Sequence, residues 1–311
     1  MILVVTPNLA WDITYAVDCL NPNRTHRVAA VAERAGGKGV NVARVLRRLG
    51  HDATVCGLAG GPTGAAIERD LTASNIAREL TAIGGNSRRT VAVAAADDGN
   101  ATLFNEPGPE ITGPEWDGFR AATTELIPRF SAVVLSGSLP PGAPADGYAA
   151  FVEAATSCGI PAIVDTSGEA LRQALAANPA LVKPNAEELL ASTGIADPLR
   201  AVTDLRQRFA GDVVASLGAD GLLAATSEGT WRVVPGRSVH GNPTGAGDAV
   251  VAALAAGSVS GSAWPQRLSE AVAVSAAAVT VPTAGDFDLD HYRMQLREVR
   301  LEEIHAAGQN G

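Results

Sequence analysis

Short apolar runs rich in β-branched residues alternate with helical patterns along most of this chain. One helical stripe is formed by Val42, Val45, Leu46 and Leu49, and Gly50 is placed to end that helix. Strands separated by helices pair in parallel, and their crossover helices cover both faces of the sheet. The pattern therefore predicts an α/β fold with a mostly parallel central sheet, built from Ile2–Thr6, Ala53–Gly57, Ala132–Ser136, Ala162–Asp165, Leu181–Lys183 and Val213–Leu217.

Several extended segments break this alternation and cannot belong to crossover units. Asp12–Val17 alternates polar and apolar residues, and Arg27–Glu33 is also extended in character. Thr90–Ala96 and Ala101–Asn105 flank Asp97-Asp98-Gly99-Asn100, a sequence typical of a hairpin turn. We assign these segments to a small antiparallel β lid that projects from the main sheet.

The size and composition favour one folding domain. The chain has 311 residues, of which 46% are hydrophobic and 18% charged, so it can bury a large core. The sequence contains no internal repeat and no low-complexity linker that would divide it. We therefore expect a single domain over residues 1–311, with the lid formed by insertions at about 12–35 and 86–108.

The charge balance and the cysteines limit the classes of partner. Lys and Arg total 24 against 33 Asp and Glu, a net charge of -9, so neither nucleic acid nor a membrane surface is expected as a partner. Cys19, Cys56 and Cys158 have neither zinc-site nor redox-motif spacing, which indicates reduced thiols. Without a recognisable signal peptide or membrane span, the sequence predicts a cytoplasmic protein.

The strongest candidate for chemistry is the turn Asn242-Pro243-Thr244-Gly245-Ala246-Gly247-Asp248, which precedes the helical run Ala249–Ala256. Its small residues let backbone N–H groups approach a ligand, and the helix adds its positive N-terminal dipole. Such a turn can hold phosphoryl charge. Asp248 has two interpretations: an ordinary acidic residue of a first helical turn, or a general base that takes a proton from an attacking hydroxyl.

A second glycine cluster, Gly36-Gly37-Lys38-Gly39-Val40-Asn41, also opens a predicted helix and does not match a P-loop. Lys38 is either a solvated loop lysine or a cation that binds an anionic or polyhydroxylated ligand. Asn41 offers both a donor and an acceptor, as sugar hydroxyls require. The cluster is therefore a candidate sugar site.

Three further turns follow predicted strands. They are Ser136–Gly142, Lys183-Pro184-Asn185 with Glu188 three residues further on, and Ser216–Gly221. Each alone can be an ordinary strand-end turn. Because the carboxyl ends of parallel strands share one edge of a sheet, their convergence predicts a ligand site at that edge.

Other classes of protein fit the sequence less well. A dinucleotide-dependent oxidoreductase would have G-x-G-x-x-G after its first strand, where this chain has Pro7-Asn8-Leu9-Ala10. A serine hydrolase of the α/β type would have a G-x-S-x-G elbow, which is absent from the sequence. A non-catalytic sensor of sugars or nucleotides on a kinase fold stays open as an alternative.

Four segments, in this order, carry a family resemblance: GGKGVNVARVLRRLG (Gly36–Gly50), VKPNAEEL, SLGADG and GNPTGAGDAVVAAL (Gly241–Leu254). They resemble the ribokinase/PfkB carbohydrate kinases, from Asp12 to about Thr283. The segments LSGSLPPG and IVDTSGEAL are most similar to the sugar-phosphate branch of 1-phosphofructokinases, tagatose-6-phosphate kinases and minor 6-phosphofructokinases. The resemblance implies a ribokinase-like fold that uses ATP and Mg²⁺, with a lid that closes and often forms a homodimer interface.

The same resemblance implies a role for each matching residue. Asp248 is implied as the catalytic base, with the anion hole at Gly245, Ala246 and Gly247. The implied contacts of the sugar and its phosphate are Asp12, Gly37, Lys38, Asn41, Arg88 and Ser138. The implied nucleotide side comprises Lys183, Asn185, Ser216, Gly218 and Gly221, while Glu188 would organise Mg²⁺ through water.

One departure from this branch concerns the sugar site. The branch usually has Thr-Arg-x-Asn, whereas this chain has Ser87-Arg88-Arg89-Thr90, so either arginine could contact the phosphate, and its position favours Arg88. The expected reaction is the ATP-dependent conversion of fructose 1-phosphate to fructose 1,6-bisphosphate. Fructose 6-phosphate and tagatose 6-phosphate stay open as acceptors. Lys38 and Arg88 favour a phosphorylated acceptor, because a neutral sugar would leave both cations unpaired.

Overall fold

The computed structural model describes residues 1–97 and 101–305. Its strands are β1 (Ile2–Asn8), β2 (Ala10–Val17), β3 (Ala30–Gly36), β4 (Ala53–Ala59), β5 (Ala77–Ala82), β6 (Arg88–Ala95), β7 (Ala101–Asn105), β8 (Ala132–Ser136), β9 (Ala162–Asp165), β10 (Leu181–Val182), β11 (Asp212–Ser216), β12 (Leu222–Thr226), β13 (Gly229–Val234) and β14 (Arg300–Glu303). Its α-helices are α1 (Lys38–Arg48), α2 (Gly61–Ala73), α3 (Gly113–Leu126), α4 (Gly147–Ser157), α5 (Gly168–Ala176), α6 (Ala186–Thr193), α7 (Pro198–Arg208), α8 (Ala246–Ser260), α9 (Trp264–Val279) and α10 (Leu289–Glu298).

The central sheet follows the order β14-β13-β12-β11-β10-β9-β8-β1-β4-β5. All neighbours from β11 to β5 pair in parallel, whereas β12, β13 and β14 add an antiparallel extension at one edge. The predicted mostly parallel sheet is therefore confirmed. Each of the six predicted strands agrees with an observed strand to within two residues at either end.

Helices cover both faces of this sheet, and β1 shows how the sequence divides between them. Ile2 and Val4 pack in one apolar cluster with residues of α1, α2, α8 and α9, while Leu3 and Val5 pack in the other with residues of α3 to α7. All four side chains are fully buried. A strand covered on both faces needs a continuous apolar run rather than an alternating one, which is why β1 was recognisable in the sequence.

Helix α1 ends where the sequence pattern predicts. Val42, Val45 and Leu46 are fully buried against the sheet. Gly50 follows with φ of 85°, the left-handed conformation that glycine adopts without steric cost, and its N–H donates to the Arg47 carbonyl. Gly50 therefore ends α1, the helix whose N-terminus carries the predicted sugar site.

A second sheet of four strands, here called the lid, follows the order β3-β2-β6-β7. The pairs β2/β3 and β6/β7 are antiparallel, as predicted, and they join through a parallel β2/β6 pair in the middle. Strand β3 begins at Ala30, later than the predicted Arg27. It also ends later than predicted, because Arg34, Ala35 and Gly36 continue the pairing with β2. Residues 98–100 of the predicted turn lie outside the described residues.

The lid grows directly out of the central strand, because β2 begins two residues after β1 ends. Its pairing places Asp12 opposite both Arg34 on β3 and Thr90 on β6. Side chains in one such row share a face, so these three point toward the same side of the lid. That side covers the carboxyl ends of the parallel strands.

Within residues 1–97 and 101–305, no helix is both long and apolar enough to span a membrane. Cys19, Cys56 and Cys158 are all thiols, in agreement with the sequence.

Candidate active site

Two neighbouring cavities lie at the carboxyl ends of the parallel strands. The first, of about 1040 Å³, lies between the lid and the strand ends, and the second, of about 1820 Å³, lies beside β12, β13 and α9. Asn185, Ser216 and Gly247 line both, so the cavities meet at the N-terminus of α8. Every residue predicted for the site except Glu188 lines one cavity or the other.

Asp248 lies in the first turn of α8 at the floor of the first cavity and is 6% exposed. Its carboxylate accepts a hydrogen bond from Asn41 Nδ2 at 2.9 Å, which ties α8 to α1. Burial and the neighbouring Asp165 raise the pKa of Asp248, while Lys38, Asn41 and Lys183 act in the opposite direction, and the net pKa is about 7. A carboxyl group with this pKa can accept a proton near neutral pH.

The turn before α8 has the backbone geometry that its glycines predict. Gly245 has φ of 86°, and a Cβ there would lie 2.7 Å from Ala284 Cβ, so only glycine fits. The Asn242 side chain holds the turn by accepting from the Thr244 N–H at 3.0 Å and donating to the Pro282 carbonyl. The Ala246 N–H donates to the Pro243 carbonyl at 3.1 Å. The Ala246 N–H is therefore already used within the turn, whereas its predicted role in the anion hole needs a free N–H.

One buried carboxylate, Asp165, links the two lysines of the site. Its Oδ1 lies 3.3 Å from Lys38 Nζ and 3.3 Å from Lys183 Nζ. Asp165 is 1% exposed and Lys183 is 4% exposed, so this pair is shielded from water. Burial alone would lower the pKa of Lys38, but Asp165, Asp248 and Glu188 outweigh that effect and raise it. Lys38 is therefore charged at neutral pH.

Sequence reasoning did not assign Asp165 to the site. The available signal was a carboxylate at the last position of a buried strand, Ala162–Asp165, where an acidic side chain is costly unless it is paired. Arg34, which lines the first cavity from β3, was also missed.

The lid supplies an acidic side chain between two arginines. Burial raises the pKa of Asp12, while Arg88 and Arg34 oppose that rise. The carboxylate packs directly on Gly36, where an added Cβ would overlap it. Asp12 is therefore held in place by the first glycine of the cluster that opens α1.

The structure separates the two arginines that the sequence left ambiguous. Arg88 lines the first cavity and donates from Nε to the Asn8 carbonyl at 3.1 Å. Arg89 points to the other side of the lid, where its guanidinium pairs with Glu106 at 2.9 Å. Asn8 Nδ2 also donates to Ser138 Oγ at 3.1 Å. Arg88 and Ser138 thus both contact Asn8.

Asn185 and Glu188 form the N-terminal cap of α6. Asn185 Oδ1 accepts from the Glu188 N–H, and Glu188 Oε2 accepts from the Asn185 N–H, each at 2.8 Å. This capping box is a sufficient structural reason for both residues. Glu188 is nevertheless near enough to Lys38 to raise the pKa of that lysine.

The second cavity is mostly apolar at its far end. Val272, Ala276 and Val279 of α9 line it there. Gly218 and Gly221 lie at its rim, and Gly221 has φ of 82° with no room for a Cβ beside the Val233 carbonyl. The glycine is required by the close approach of β13.

Several buried polar atoms at the site have no hydrogen-bond partner within the described residues. They are Asn8 Oδ1, Asn41 Oδ1, Ser136 Oγ and Asp165 Oδ2. Buried oxygens are normally satisfied, so this concentration indicates an edge that receives hydrated or polar ligands. Among residues 1–97 and 101–305, no group of three or more His, Cys, Asp and Glu side chains is arranged to hold a metal ion.

The parallel sheet, the lid and the glycine-led helix below it define a ribokinase-like fold. The sequence model for the pfkB family of carbohydrate kinases matches residues 5–290. The chain therefore belongs to the PfkB family of carbohydrate kinases.

Solved structures agree with this assignment. Phosphofructokinase-2 from Escherichia coli, in complex with potassium, is 29% identical with a TM-score of 0.88, covering 95% of this chain and 98% of that one. The same enzyme in complex with fructose-6-phosphate gives 29% identity and a TM-score of 0.86 over the same shares. A Thermotoga maritima protein described as a possible 1-phosphofructokinase is 23% identical, with a TM-score of 0.88 over 98% of this chain and 99% of that one, and shows the shared fold.

Proposed function

We propose that this kinase transfers the γ-phosphoryl group of ATP to fructose 1-phosphate, giving fructose 1,6-bisphosphate. The observation that carries the proposal is one cavity that contains a buried carboxylate at a helix N-terminus together with Lys38 and Arg88. Lys38 and Arg88 share their counter-charges, Asp165 and Asp12, with Lys183 and Arg34, so a sugar phosphate would supply negative charge that a neutral sugar would not. The second cavity, which meets the first at Gly247, is the proposed nucleotide site.

On the acceptor side, Asp12, Gly37 and Asn41 would bind the sugar. Asp12 and Asn41 both line the cavity, and together they offer acceptors and a donor for vicinal hydroxyls. Arg88 and Ser138, joined through Asn8, would hold the phosphate that the sugar already carries. This arrangement directs the opposite end of the sugar toward Asp248.

On the nucleotide side, Lys183 and Asn185 would lie beside the phosphates, with Ser216, Gly218 and Gly221 nearer the nucleoside. Mg²⁺ would be held here as a hydrated ion beside Glu188, whose charge acts on Lys38. Glu188 would orient its water shell. When bound, the ion would neutralise charge on the β- and γ-phosphates.

In the proposed step, the primary hydroxyl oxygen of the sugar attacks the γ-phosphorus in line with the leaving group. The new O–P bond forms as the bond from the γ-phosphorus to the β,γ-bridging oxygen breaks, and ADP takes that electron pair. Asp248 accepts the hydroxyl proton. The amides of Gly245 and Gly247, with the α8 dipole, would stabilise the transferring group, and Ala246 would join them after releasing Pro243.

Fructose 6-phosphate is the second candidate acceptor, because it is the ligand of the Escherichia coli phosphofructokinase-2 structure that this chain resembles at 29% identity. Tagatose 6-phosphate carries the same charge and differs in the configuration of one hydroxyl. The 1-phosphate is favoured by the resemblance of two segments, Gly37-Lys38-Gly39 and Asn105-Glu106-Pro107-Gly108, to 1-phosphofructokinases.

A coupled assay of ADP release with Mg-ATP tests the proposal. Fructose 1-phosphate, fructose 6-phosphate, tagatose 6-phosphate and free fructose are compared by kcat/KM. We expect the highest value for fructose 1-phosphate and the lowest for free fructose. A preference for a 6-phosphate would contradict fructose 1-phosphate as the acceptor but would leave the proposed phosphoryl transfer in place. Ligand binding without ADP release for any acceptor would favour the sensor alternative.

The pH profile should show the titration of Asp248. A general base works only when deprotonated, and burial raises the pKa of this carboxyl to about 7. We therefore expect kcat/KM to fall tenfold per pH unit below about 7 and to level off above it. The measurement is initial rate against pH at low acceptor concentration. A flat profile down to pH 5 would contradict this assignment.

We also propose that the lid forms a homodimer through its outer face. Val31 and Phe104 there are 56% and 57% exposed, and they adjoin Tyr15, Val91 and Ile13 in the strand register. An apolar face of this kind fits a second copy of itself across a two-fold axis. Light scattering should give a dimer for the wild type and a monomer for the Val31→Asp/Phe104→Asp variant. A wild type that is monomeric at micromolar concentration would exclude the interface.

A further inference from the structure

Arg34 is a cationic side chain of the acceptor cavity that has no assigned role. It lies on β3, directly opposite Asp12 in the lid register, and lines the first cavity. In the proposed function Asp12 binds the sugar, and Arg88, on the other flank of β2, binds its phosphate. Arg34 has no role there. Four cations therefore line this cavity: Arg34, Lys38, Arg88 and Lys183.

The hydrogen-bonding capacity of Arg34 is incompletely used. Its Nη2 is buried and has no hydrogen-bond partner within the described part of the chain. Of the carboxylates that attract it, Asp70 is held by Arg44 at 2.6 Å and Asp286 is held by Arg48 at 2.9 Å.

The third attracting carboxylate is Asp12, which is shared with Arg88. Burial lowers the pKa of Arg34, and the neighbouring Arg44 also lowers it. The charged guanidinium is therefore less stable here than it would be in water. A buried guanidinium with an unsatisfied N–H is a binding element for an anion.

The lid geometry lets Arg34 and Arg88 act on one ligand. Strands β3 and β6 flank β2 on opposite sides, so their backbones are about 10 Å apart. Arg34 lies opposite Asp12 on one flank of β2, and Arg88 lies opposite Ala10 on the other, so both belong to the face of the lid that carries Asp12. A phosphate dianion has enough acceptor oxygens to take N–H groups from both.

We propose that Arg34 is a further substrate-binding residue, which together with Arg88 holds the phosphate already carried by the acceptor sugar. The inference rests on the acceptor site of the proposed function, and it adds a second phosphate ligand from a different lid strand. Binding of the phosphate then joins β3 and β6 across β2. The same phosphate supplies the counter-charge that Asp12 alone cannot give to two guanidinium groups.

The test measures binding separately from turnover. Calorimetric titrations with fructose 1-phosphate and fructose 6-phosphate, without nucleotide, compare the wild type with Arg34→Gln, Arg34→Lys and Arg88→Gln. Arg120→Gln is the matched control, because Arg120 is an exposed helical arginine paired with Asp117. Loss of a charged hydrogen-bond partner should raise the Kd of the sugar phosphate about 10- to 100-fold in Arg34→Gln. Arg34→Lys should give a smaller increase because it keeps the charge without the planar fork.

Steady-state kinetics separate phosphate binding from a merely structural role. Arg34→Gln should leave the KM for ATP unchanged and should lower kcat/KM for fructose 1-phosphate far more than kcat/KM for free fructose. Wild-type affinity in Arg34→Gln would overturn the inference. An equal loss for fructose 1-phosphate and free fructose would also overturn it, because the arginine would then support the lid rather than the phosphate.

The two proposals fail in different ways. If the wild type binds a sugar phosphate through Arg34 but releases no ADP, the proposed reaction falls and the binding inference stands. If the wild type turns over a sugar phosphate and Arg34→Gln binds it normally, only the inference falls. A wild type that binds neither fructose phosphate would overturn both.

Discussion

Replacing Asp248 with asparagine is expected to lower kcat by about 10²- to 10⁴-fold, the range that general-base catalysis contributes. Asparagine keeps the shape and can still bond to Asn41, but it cannot take the hydroxyl proton. The affinity for ATP should change little, because the loss occurs in the transition state rather than in nucleotide binding. Initial rates and an equilibrium titration with ATP measure the two quantities.

Asp117→Asn is the control for the Asp248 variant, because Asp117 is an exposed helical aspartate that forms a local ion pair with Arg120. It should behave as the wild type. The acid limb of the kcat/KM profile should also disappear in Asp248→Asn, since the group that produces it is gone. Turnover within tenfold of the wild type would remove Asp248 as the base.

Replacing Asp165 with asparagine should destabilise the fold and impair the site together. Lys183 is 4% exposed and would lose its counter-charge in a region that water does not reach. Removing one partner of a buried ion pair typically costs about 3–5 kcal/mol. We expect the free energy of unfolding to fall by about that amount in a denaturant titration. Misplacement of Lys183 and Lys38 should lower kcat/KM by about 10²-fold.

A second variant separates charge from packing. In Asp165→Asn/Lys183→Met the unpaired lysine is also removed, so much of the lost stability should return, although activity should not. The acid limb of Asp165→Asn should shift to lower pH, because Asp165 is one cause of the raised pKa of Asp248. Wild-type stability in Asp165→Asn would show that the ion pairs of Asp165 with Lys38 and Lys183 contribute nothing to the free energy of unfolding.

Burial explains which parts of the fold the sequence predicts well. Strands such as β1, β8 and β9 are covered on both faces, so their composition alone identifies them. β5 is an edge strand with alternating exposure, and β12 to β14 form an antiparallel extension, so neither matches the pattern of buried runs between helices. Such strands are fixed by their neighbours rather than by their own sequence.

The site shows a similar limit. Local motifs were enough to select Lys38, Asn41 and Asp248, because glycine clusters and helix starts can be recognised in a short segment. Arg34 joins them only through the register of β3 against β2, and Arg88 is distinguished from Arg89 only by the face of β6. Register depends on the whole lid, and a shift of one residue would exchange the faces.

The most direct test of the account is a phosphorus NMR spectrum of the chain incubated with Mg-ATP and fructose 1-phosphate. The account predicts that a second phosphomonoester signal, on carbon 6 of the sugar, grows in proportion to ADP. Release of ADP with inorganic phosphate and no new sugar ester would contradict it, because the site would then deliver the phosphoryl group to water.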